Sequence, residues 1–265
     1  MNATSVMRSD EIVRFNDASA TARFGLIVLA TDMTSERDLY RQLPRDNVAI
    51  HVTRIGFENP TTPENLQKMA PRLTEAAMLL QPLQPLKAIC YSCTAASVAI
   101  GDDAVRTSIH AGVGGVPVVT PSGAARLAFA ALGLRRISIL TPYTVPTTEP
   151  MAAYFTKHGM ELCHVECLGL EDDRDMARVS DETIIKAAIA IDRSDAEALF
   201  LSCTGLPAIN VITEIERRIG KPVISSNQAS AWAMSRLGGL HDHRPAEFGK
   251  LFECALPDLA FGEAA

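Results

Sequence analysis

Long apolar runs are missing from the 265-residue sequence, and no stretch reaches the roughly 18 residues that a membrane-spanning helix needs. Residues 1–22 contain Arg8, Asp10, Glu11 and Arg14 and lack the apolar centre of a secretory signal. We therefore expect no membrane partner and a cytoplasmic location. In such a reducing compartment the six cysteines are expected to remain thiols.

Basic clusters interleaved with aromatic residues are also missing, and the net charge of −6 argues against a nucleic-acid partner. The glycine-rich run from Gly112 to Gly115 lacks the spacing of a dinucleotide or phosphate loop. Cys90 and Cys93 have a metal-like spacing, but on a strand their side chains point to opposite faces, which favours a core role for Cys90. Neither this pair nor Cys163 with Cys167 has a partner pair at zinc spacing. The sequence therefore predicts no metal and no organic cofactor.

Short apolar strands alternate with amphipathic helices along most of the chain, including predicted helices over 63–80 and 206–219. Strict alternation predicts an α/β fold of parallel sheets with helices on both faces. Because the order of elements repeats, we expect two similar doubly wound domains related by pseudo-two-fold symmetry, with the active site in the cleft between them. The expected division is an N-terminal extension at 1–22, a first α/β domain at 23–121 completed by a C-terminal helix at 227–265, and a second α/β domain at 122–226.

The run Ser-Cys-Thr occurs twice, each time at the end of an apolar strand pattern and before a helix pattern, and its cysteines are Cys93 and Cys203. In α/β proteins, ligands bind where the carboxyl ends of strands meet helix N-termini, and a helix N-terminus lowers the pKa of a thiol. A lone cysteine there is usually a small buried apolar residue. The duplication instead favours a catalytic pair that removes a proton from one face of a small substrate and delivers one to the other.

Proton removal beside a carboxylate creates an enediolate, so the site also needs hydrogen-bond donors for the carboxylate oxygens. The backbone amides and hydroxyls of Thr94, Thr204 and Gly205 are placed to supply them. Ala95, next in the same turn as Thr94, is counted with these candidate substrate-binding residues.

Several longer motifs carry a resemblance to a known family. They are Gly25-Leu26-Ile27-Val28, Ser92-Cys93-Thr94, Leu140-Thr141-Pro142-Tyr143, Met176-Ala177-Arg178-Val179, Leu201-Ser202-Cys203-Thr204-Gly205 and the run from Glu216 to Ala229. Across residues 23–239 the chain resembles the aspartate/glutamate racemase superfamily, in the branch of maleate cis-trans isomerases, arylmalonate decarboxylases and, closest, racemase-like proteins of ectoine utilization. The resemblance implies catalytic roles for both cysteines.

The resemblance also implies that Tyr143 contacts substrate. It argues against decarboxylation, because the decarboxylases carry glycine at the position of Cys93. Maleate isomerases carry asparagines where this chain has Asp32 and Asp173, and a carboxylate beside a dicarboxylate repels it. A substrate with an ammonium or amide group would fit better. The alternative roles are a helix N-cap for Asp32 and a solvated loop position for Asp173.

The sequence thus predicts a cofactor-independent racemase or isomerase of a small carboxylate, such as an amino-acid derivative from ectoine degradation, that uses two-cysteine acid/base catalysis. One alternative is a maleate-type cis-trans isomerase or an arylmalonate-type decarboxylase. A second alternative is a non-catalytic protein that binds small molecules, which would not need two activated thiols. The expected partner is the small carboxylate substrate, and a homo-oligomer such as a dimer is left open.

Overall fold

The computed structural model of the protein describes residues 5–82 and 84–257, which form two four-stranded parallel sheets. The first sheet has the order β2-β1-β3-β4, with β1 Ala22–Leu29, β2 Val48–Ile55, β3 Ala88–Ser92 and β4 Val118–Val119. The second has the order β6-β5-β7-β8, with β5 Arg136–Thr141, β6 Glu161–Cys167, β7 Ala198–Leu201 and β8 Val223–Ser225. The prediction of an α/β fold with two similar parallel sheets is confirmed.

The helices lie between the strands in chain order. They are α1 Ser35–Gln42, α2 Pro63–Gln67, α3 Leu73–Met78, α4 Thr94–Ile100, α5 Asp102–Gly112, α6 Pro121–Ala131, α7 Val145–Lys157, α8 Asp173–Met176, α9 Asp181–Ala190, α10 Ile212–Ile219 and α11 Ser226–Leu237. The described residues contain no helix that is both long enough and apolar enough to cross a membrane.

The central strands are buried along most of their length, and every residue of β3 and β7 is buried. Such continuous apolar strands are typical of parallel sheets whose two faces are both covered by helices. Because both sheets have the same strand order, β3 and β7 occupy equivalent positions. Cys93 directly follows β3, and Cys203 lies two residues beyond β7, so both thiols lie at the carboxyl edges of equivalent strands.

Two predicted helices are interrupted in the structure. The helix expected over 63–80 is divided into α2, a 3-10 turn at Ala70–Arg72 and α3, because Pro71 lacks the N–H that a continuous helix would use. The helix expected over 206–219 begins only at Ile212, after a 3-10 turn at Ala208–Asn210. Cys203 is therefore followed by a loop, whereas Cys93 occupies the N-cap position of α4.

Helix α11 contacts elements of both sheets, including β3, β4 and β8, as well as α1 and α6. Its start is fixed by a capping box in which the Ser225 side chain and the Gln228 side chain each pair with the other residue's backbone N–H. The helix ends at Leu237, and two 3-10 turns, Ala246–Phe248 and Lys250–Glu253, follow it. The helical part of the predicted 227–265 segment is therefore shorter than expected. Residues 258–265 of that segment, and residues 1–4 of the predicted extension, lie outside the described residues, and the domain boundaries stay a prediction.

Candidate active site

The two predicted catalytic thiols line one small cavity of about 30 Å³. Of the candidate substrate-binding residues, six line the same cavity: Asp32, Ala95, Tyr143, Asp173, Thr204 and Gly205. Thr94 is buried beside it and donates a 2.8 Å hydrogen bond to Ser226 Oγ. Sequence analysis did not assign a role to the other lining residues, which are Leu29, Met33, Thr61, Leu66, Ser92 and Met176.

Cys93 is buried at the N-cap position of α4, and its carbonyl accepts hydrogen bonds from the Ser97 N–H at 2.9 Å and the Ser97 hydroxyl at 2.7 Å. Burial raises the pKa of the Cys93 thiol, and the Ala96 N–H offsets only part of this shift. Nearby Cys203 and Asp173 raise the same pKa further, because a second negative charge disfavours the thiolate.

The sulfur of Cys203 has more hydrogen-bond donors around it than the sulfur of Cys93 has. Burial raises its pKa to about 11, while the Tyr143 hydroxyl and the Gly205 and Leu206 N–H groups act in the opposite direction. The Gly205 N–H lies 3.2 Å from Cys203 Sγ, and the Cys203 N–H donates to Ser226 Oγ at 3.1 Å. Cys203 has a backbone φ of +156°, which is unusual for a residue with a side chain. The loop that carries Cys203 is therefore held in a conformation that free peptides rarely adopt.

The expectation that helix N-termini lower both thiol pKa values is wrong. Only Cys93 precedes a helix directly, and for both thiols the removal of water outweighs the nearby backbone N–H groups, so both pKa values are raised. Among the two, Cys203 is the thiol whose anion receives more stabilisation. It is therefore better suited to give up a proton and receive it again.

Tyr143 is buried between the two Ser-Cys-Thr segments. Its hydroxyl interacts with Cys203 and Thr94, and burial together with the two neighbouring thiols raises its pKa. The phenol is therefore held in its neutral form, in which it can donate a hydrogen bond to a thiolate or to a substrate oxygen. The structure places Tyr143 in the cavity wall, where the resemblance put it.

Asp32 lines the cavity and also stabilises the first turn of α1. Its Oδ1 accepts from the Thr34 N–H at 3.1 Å and the Ser35 N–H at 2.9 Å, and its Oδ2 accepts from the Ser35 hydroxyl at 2.6 Å. Burial raises the pKa of Asp32, although these donors and Arg54 favour its charged form. The N-cap position of α1 belongs to Thr34, so Asp32 is not the N-cap that the sequence offered as an alternative; it supports the residues at the start of α1 and lines the cavity.

Asp173 is not a solvated loop residue, because it is joined to the first half of the chain. Asn59 Nδ2 donates to Asp173 Oδ1 at 2.8 Å, the Thr31 hydroxyl donates to Oδ2, and the Asp173 N–H donates to Asn59 Oδ1 at 3.2 Å. Each carboxylate oxygen retains capacity for a further donor. The cavity wall therefore carries two carboxyl groups, and no lysine, arginine or histidine is among its described lining residues.

The start of α11 connects both thiol loops, although the sequence shows this segment only as part of a longer motif. Ser226 Oγ accepts from Thr94 and from the Cys203 N–H, and Asn227 Nδ2 donates to the Thr204 carbonyl at 2.9 Å. The same Asn227 nitrogen donates to Asp38 Oδ2 at 2.9 Å. A hydroxyl and an amide at the start of a helix that follows a strand are the only signal of these roles in the sequence.

Asp38 carries a fully buried carboxyl group. Asn227 links it to the Thr204 backbone, because the Asn227 side-chain nitrogen donates to both. Burial raises its pKa to about 6, while Asn227, Arg37 and Arg41 act in the opposite direction. Such a group changes its charge within an experimentally accessible pH range.

The sequence is similar to proteins of known family. Residues 59–252 match the sequence profile of the arylmalonate decarboxylase family. An arylmalonate decarboxylase of Bordetella bronchiseptica is 34% identical over 142 residues, which is 52% of this chain and 59% of that relative's length. A maleate isomerase of Nocardia farcinica is 26% identical over 225 residues, which is 81% of this chain and 89% of the relative. The match to the first relative therefore spans about three fifths of its length.

The fold also matches solved structures. A cysteine-to-serine mutant of Nocardia farcinica maleate cis-trans isomerase, with a covalently bound succinylcysteine intermediate, superposes with a TM-score of 0.78 at 24% identity and covers 88% of this chain and 98% of its own. That likeness confirms the two-domain α/β architecture.

The chain belongs to the arylmalonate decarboxylase family. It is an enzyme of the maleate isomerase and arylmalonate decarboxylase type, and the prediction of an isomerase-class enzyme is confirmed by its maleate isomerase relatives.

Proposed function

We propose that this enzyme interconverts cis and trans forms of a small unsaturated carboxylic acid, with Cys93 and Cys203 acting from opposite sides of the double bond. The observation that carries the proposal is that both thiols line one cavity at the carboxyl edges of equivalent strands. A decarboxylase that needs one proton donor would not need the second thiol. Maleate isomerase relatives cover most of this chain, as arylmalonate decarboxylase structures also do, and the Nocardia farcinica maleate isomerase has been captured with a covalently bound succinylcysteine intermediate.

The proposed reaction is a reversible addition of a thiol to the double bond. The sulfur of Cys93 forms a bond to one alkene carbon, Cys203 gives its proton to the other carbon, and the proton from Cys93 restores Cys203. Rotation about the resulting single bond and reversal of the same steps yield the other isomer and return both thiols. Tyr143 and the Gly205 N–H support this assignment, because they stabilise the Cys203 thiolate that exists between the two proton transfers.

Closure of the site is part of the proposal. A cavity of about 30 Å³ holds roughly one water molecule, so the walls must separate to admit even a small acid and then exclude bulk water around it. A dry site favours the reaction because it strengthens the interactions of the thiolate with its donors.

Racemisation of an amino-acid derivative, including one from ectoine degradation, is the second candidate. It is favoured by the two carboxyl groups of Asp32 and Asp173 and the lack of a cationic side chain among the described lining residues, since a dicarboxylate would be repelled unless these groups were protonated.

Incubation with maleate, with small unsaturated monocarboxylates and with amino-acid enantiomers in D2O distinguishes the candidates. Proton NMR reports cis-trans conversion and α-proton exchange separately. Conversion of an unsaturated acid supports the first proposal. Exchange in an amino-acid derivative without any cis-trans conversion would support racemisation instead.

A further inference from the structure

A wide open cleft shares a wall residue with the active-site cavity. It is a cleft of about 850 Å³ whose walls come from the loop before α2, the first turns of α7 and Glu171. Thr61 lines both the cleft and the active-site cavity, so the two spaces share this residue.

The Thr61 backbone is fixed while its hydroxyl is free. Its N–H donates to the Glu171 carbonyl at 2.7 Å, and its carbonyl accepts from the Thr147 hydroxyl at 2.8 Å. Thr61 is only 5% exposed, and its Oγ1 is buried without a hydrogen-bond partner among the described residues. A buried hydroxyl with no partner costs free energy unless something else bonds to it, which points to a ligand at this wall.

The charged residues that line the cleft are all acidic. The cleft is lined by apolar residues such as Pro63, Pro146, Pro150 and Ala153, and by the exposed glutamates Glu64, Glu149 and Glu171. No lysine, arginine or histidine is among the described residues that line it. The cleft therefore attracts cations and repels anions before they reach the cavity.

We infer that this cleft is the outer subsite of the active site and admits substrate past Thr61, selecting a carboxylic acid whose remaining part is apolar or cationic over a dicarboxylate. This inference rests on the proposed function for the identity of the reacting group. In this arrangement the carboxylate end of the substrate enters the cavity between the thiols. The rest of the molecule stays in the cleft, and at the passage the Thr61 hydroxyl donates a hydrogen bond to a carboxylate oxygen of the substrate.

The rate at which charged thiol reagents reach Cys93 and Cys203 tests the subsite without any substrate. The reagents are 2-aminoethyl, methyl and 2-sulfonatoethyl methanethiosulfonate, which are cationic, neutral and anionic, and peptide mapping by mass spectrometry follows each cysteine separately. At low salt we expect the cationic reagent to label the two thiols at least about tenfold faster than the anionic one, with the difference shrinking as salt is added. Replacing all three cleft glutamates (Glu64→Gln, Glu149→Gln and Glu171→Gln) should remove most of the difference.

The matched control makes the same change in net charge elsewhere, at three exposed glutamates: Glu75→Gln, Glu182→Gln and Glu247→Gln. This control should retain the preference of the parent protein. Thr61→Ala should accelerate labelling by all three reagents and keep their order, because it widens the passage without changing its charge.

Equal rates for the three reagents would overturn the inference, as would an equal loss of preference in the control. The same holds if Thr61→Ala changes nothing while a substitution at Met33, on another wall of the cavity, changes every rate. Labelling requires no turnover, so the two claims are tested separately. The labelling rates can contradict the subsite while cis-trans conversion is observed, and they can support the subsite when no conversion is observed.

Discussion

Thr94 and Ser226 are joined by a 2.8 Å hydrogen bond that links the two thiol loops, because the same Ser226 oxygen accepts the backbone N–H of Cys203. One buried hydroxyl at the start of α11 thus positions residues from both halves of the chain. This relationship explains how two loops of different length hold their cysteines at one cavity.

Ser226→Ala should therefore disturb both thiol loops. Loss of a buried acceptor leaves two donors unsatisfied, and we expect a loss of about 1–3 kcal/mol in the free energy of unfolding, measured by urea denaturation. Ser230→Ala is the matched control, because Ser230 is buried one turn later on the same helix and its hydroxyl bonds to the Ser226 carbonyl. Only Ser226→Ala should also change the alkylation rates of Cys93 and Cys203. Equal effects of the two substitutions on those rates would contradict the positioning role.

Tyr143→Phe should raise the pKa of Cys203 above its value of about 11, because it removes a donor to the thiolate. A hydrogen bond to a charged group contributes about 1.5–3 kcal/mol, which corresponds to roughly one to two pKa units. Below the pKa, alkylation by iodoacetamide follows the thiolate fraction, so the rate at Cys203 should fall about 10- to 100-fold at any fixed pH. Tyr40→Phe, at an exposed position, should leave the rate unchanged. An unchanged rate in Tyr143→Phe would show that the phenol does not act on this sulfur.

Asp38 should make the folded protein less stable as pH rises through the range between its unfolded and folded pKa values. Burial raises the pKa from 3.8 to about 6, so the folded state holds this proton more tightly than the unfolded state does. The associated stability is fully present below about pH 4 and is lost as pH approaches 6, with a magnitude on the order of 3 kcal/mol.

Asp38→Asn should abolish this contribution while it keeps the shape of the side chain. Denaturant unfolding at a series of pH values from 4 to 7 measures it, with Asp103→Asn as an exposed control whose carboxylate pairs with Arg106. If the parent protein and Asp38→Asn have the same pH slope, Asp38 does not hold a proton in the folded state.

Asp32→Asn together with Asp173→Asn should change which acids the site accepts. Removal of two carboxyl charges from a cavity whose described lining residues include no lysine, arginine or histidine should weaken turnover of substrates with an ammonium or amide group and improve that of dicarboxylates such as maleate. The measurement is kcat/KM for one substrate of each kind. An unchanged substrate profile would mean that Asp32 serves only to bond Thr34 and Ser35 and that Asp173 serves only as the link to Asn59.

The alternation of elements and the duplicated Ser-Cys-Thr run were sufficient to predict the two parallel sheets and the meeting of Cys93 and Cys203 at one cavity. Both are local signals, since each strand and the residue after it can be recognised within a few positions. The contacts of Asp38 with Asn227 could not be predicted, because they join residues 189 positions apart. The direction of the thiol pKa shifts also could not be predicted from the sequence, because it depends on how completely the folded chain excludes water from the two sulfur atoms.

The late start of α10 has a similar explanation. The segment 206–219 has helical periodicity. However, the Gly205 carbonyl accepts a 2.8 Å hydrogen bond from the Thr34 hydroxyl, which holds the loop after Cys203 against the first half of the chain. Tertiary contacts of this kind outweigh helix propensity.

The most direct test of the account compares Cys93→Ser, Cys203→Ser and the double variant with Cys90→Ser, whose thiol is buried in the core away from the cavity. Each protein is incubated in D2O with the unsaturated acid that the parent enzyme converts, and NMR follows both isomerisation and proton exchange. The account predicts that the parent and Cys90→Ser retain turnover. It also predicts that each cavity variant remains folded and loses at least about 100-fold of the rate. Retention of more than about a tenth of the parent rate by the double variant would contradict the central claim that these two thiols perform the chemistry.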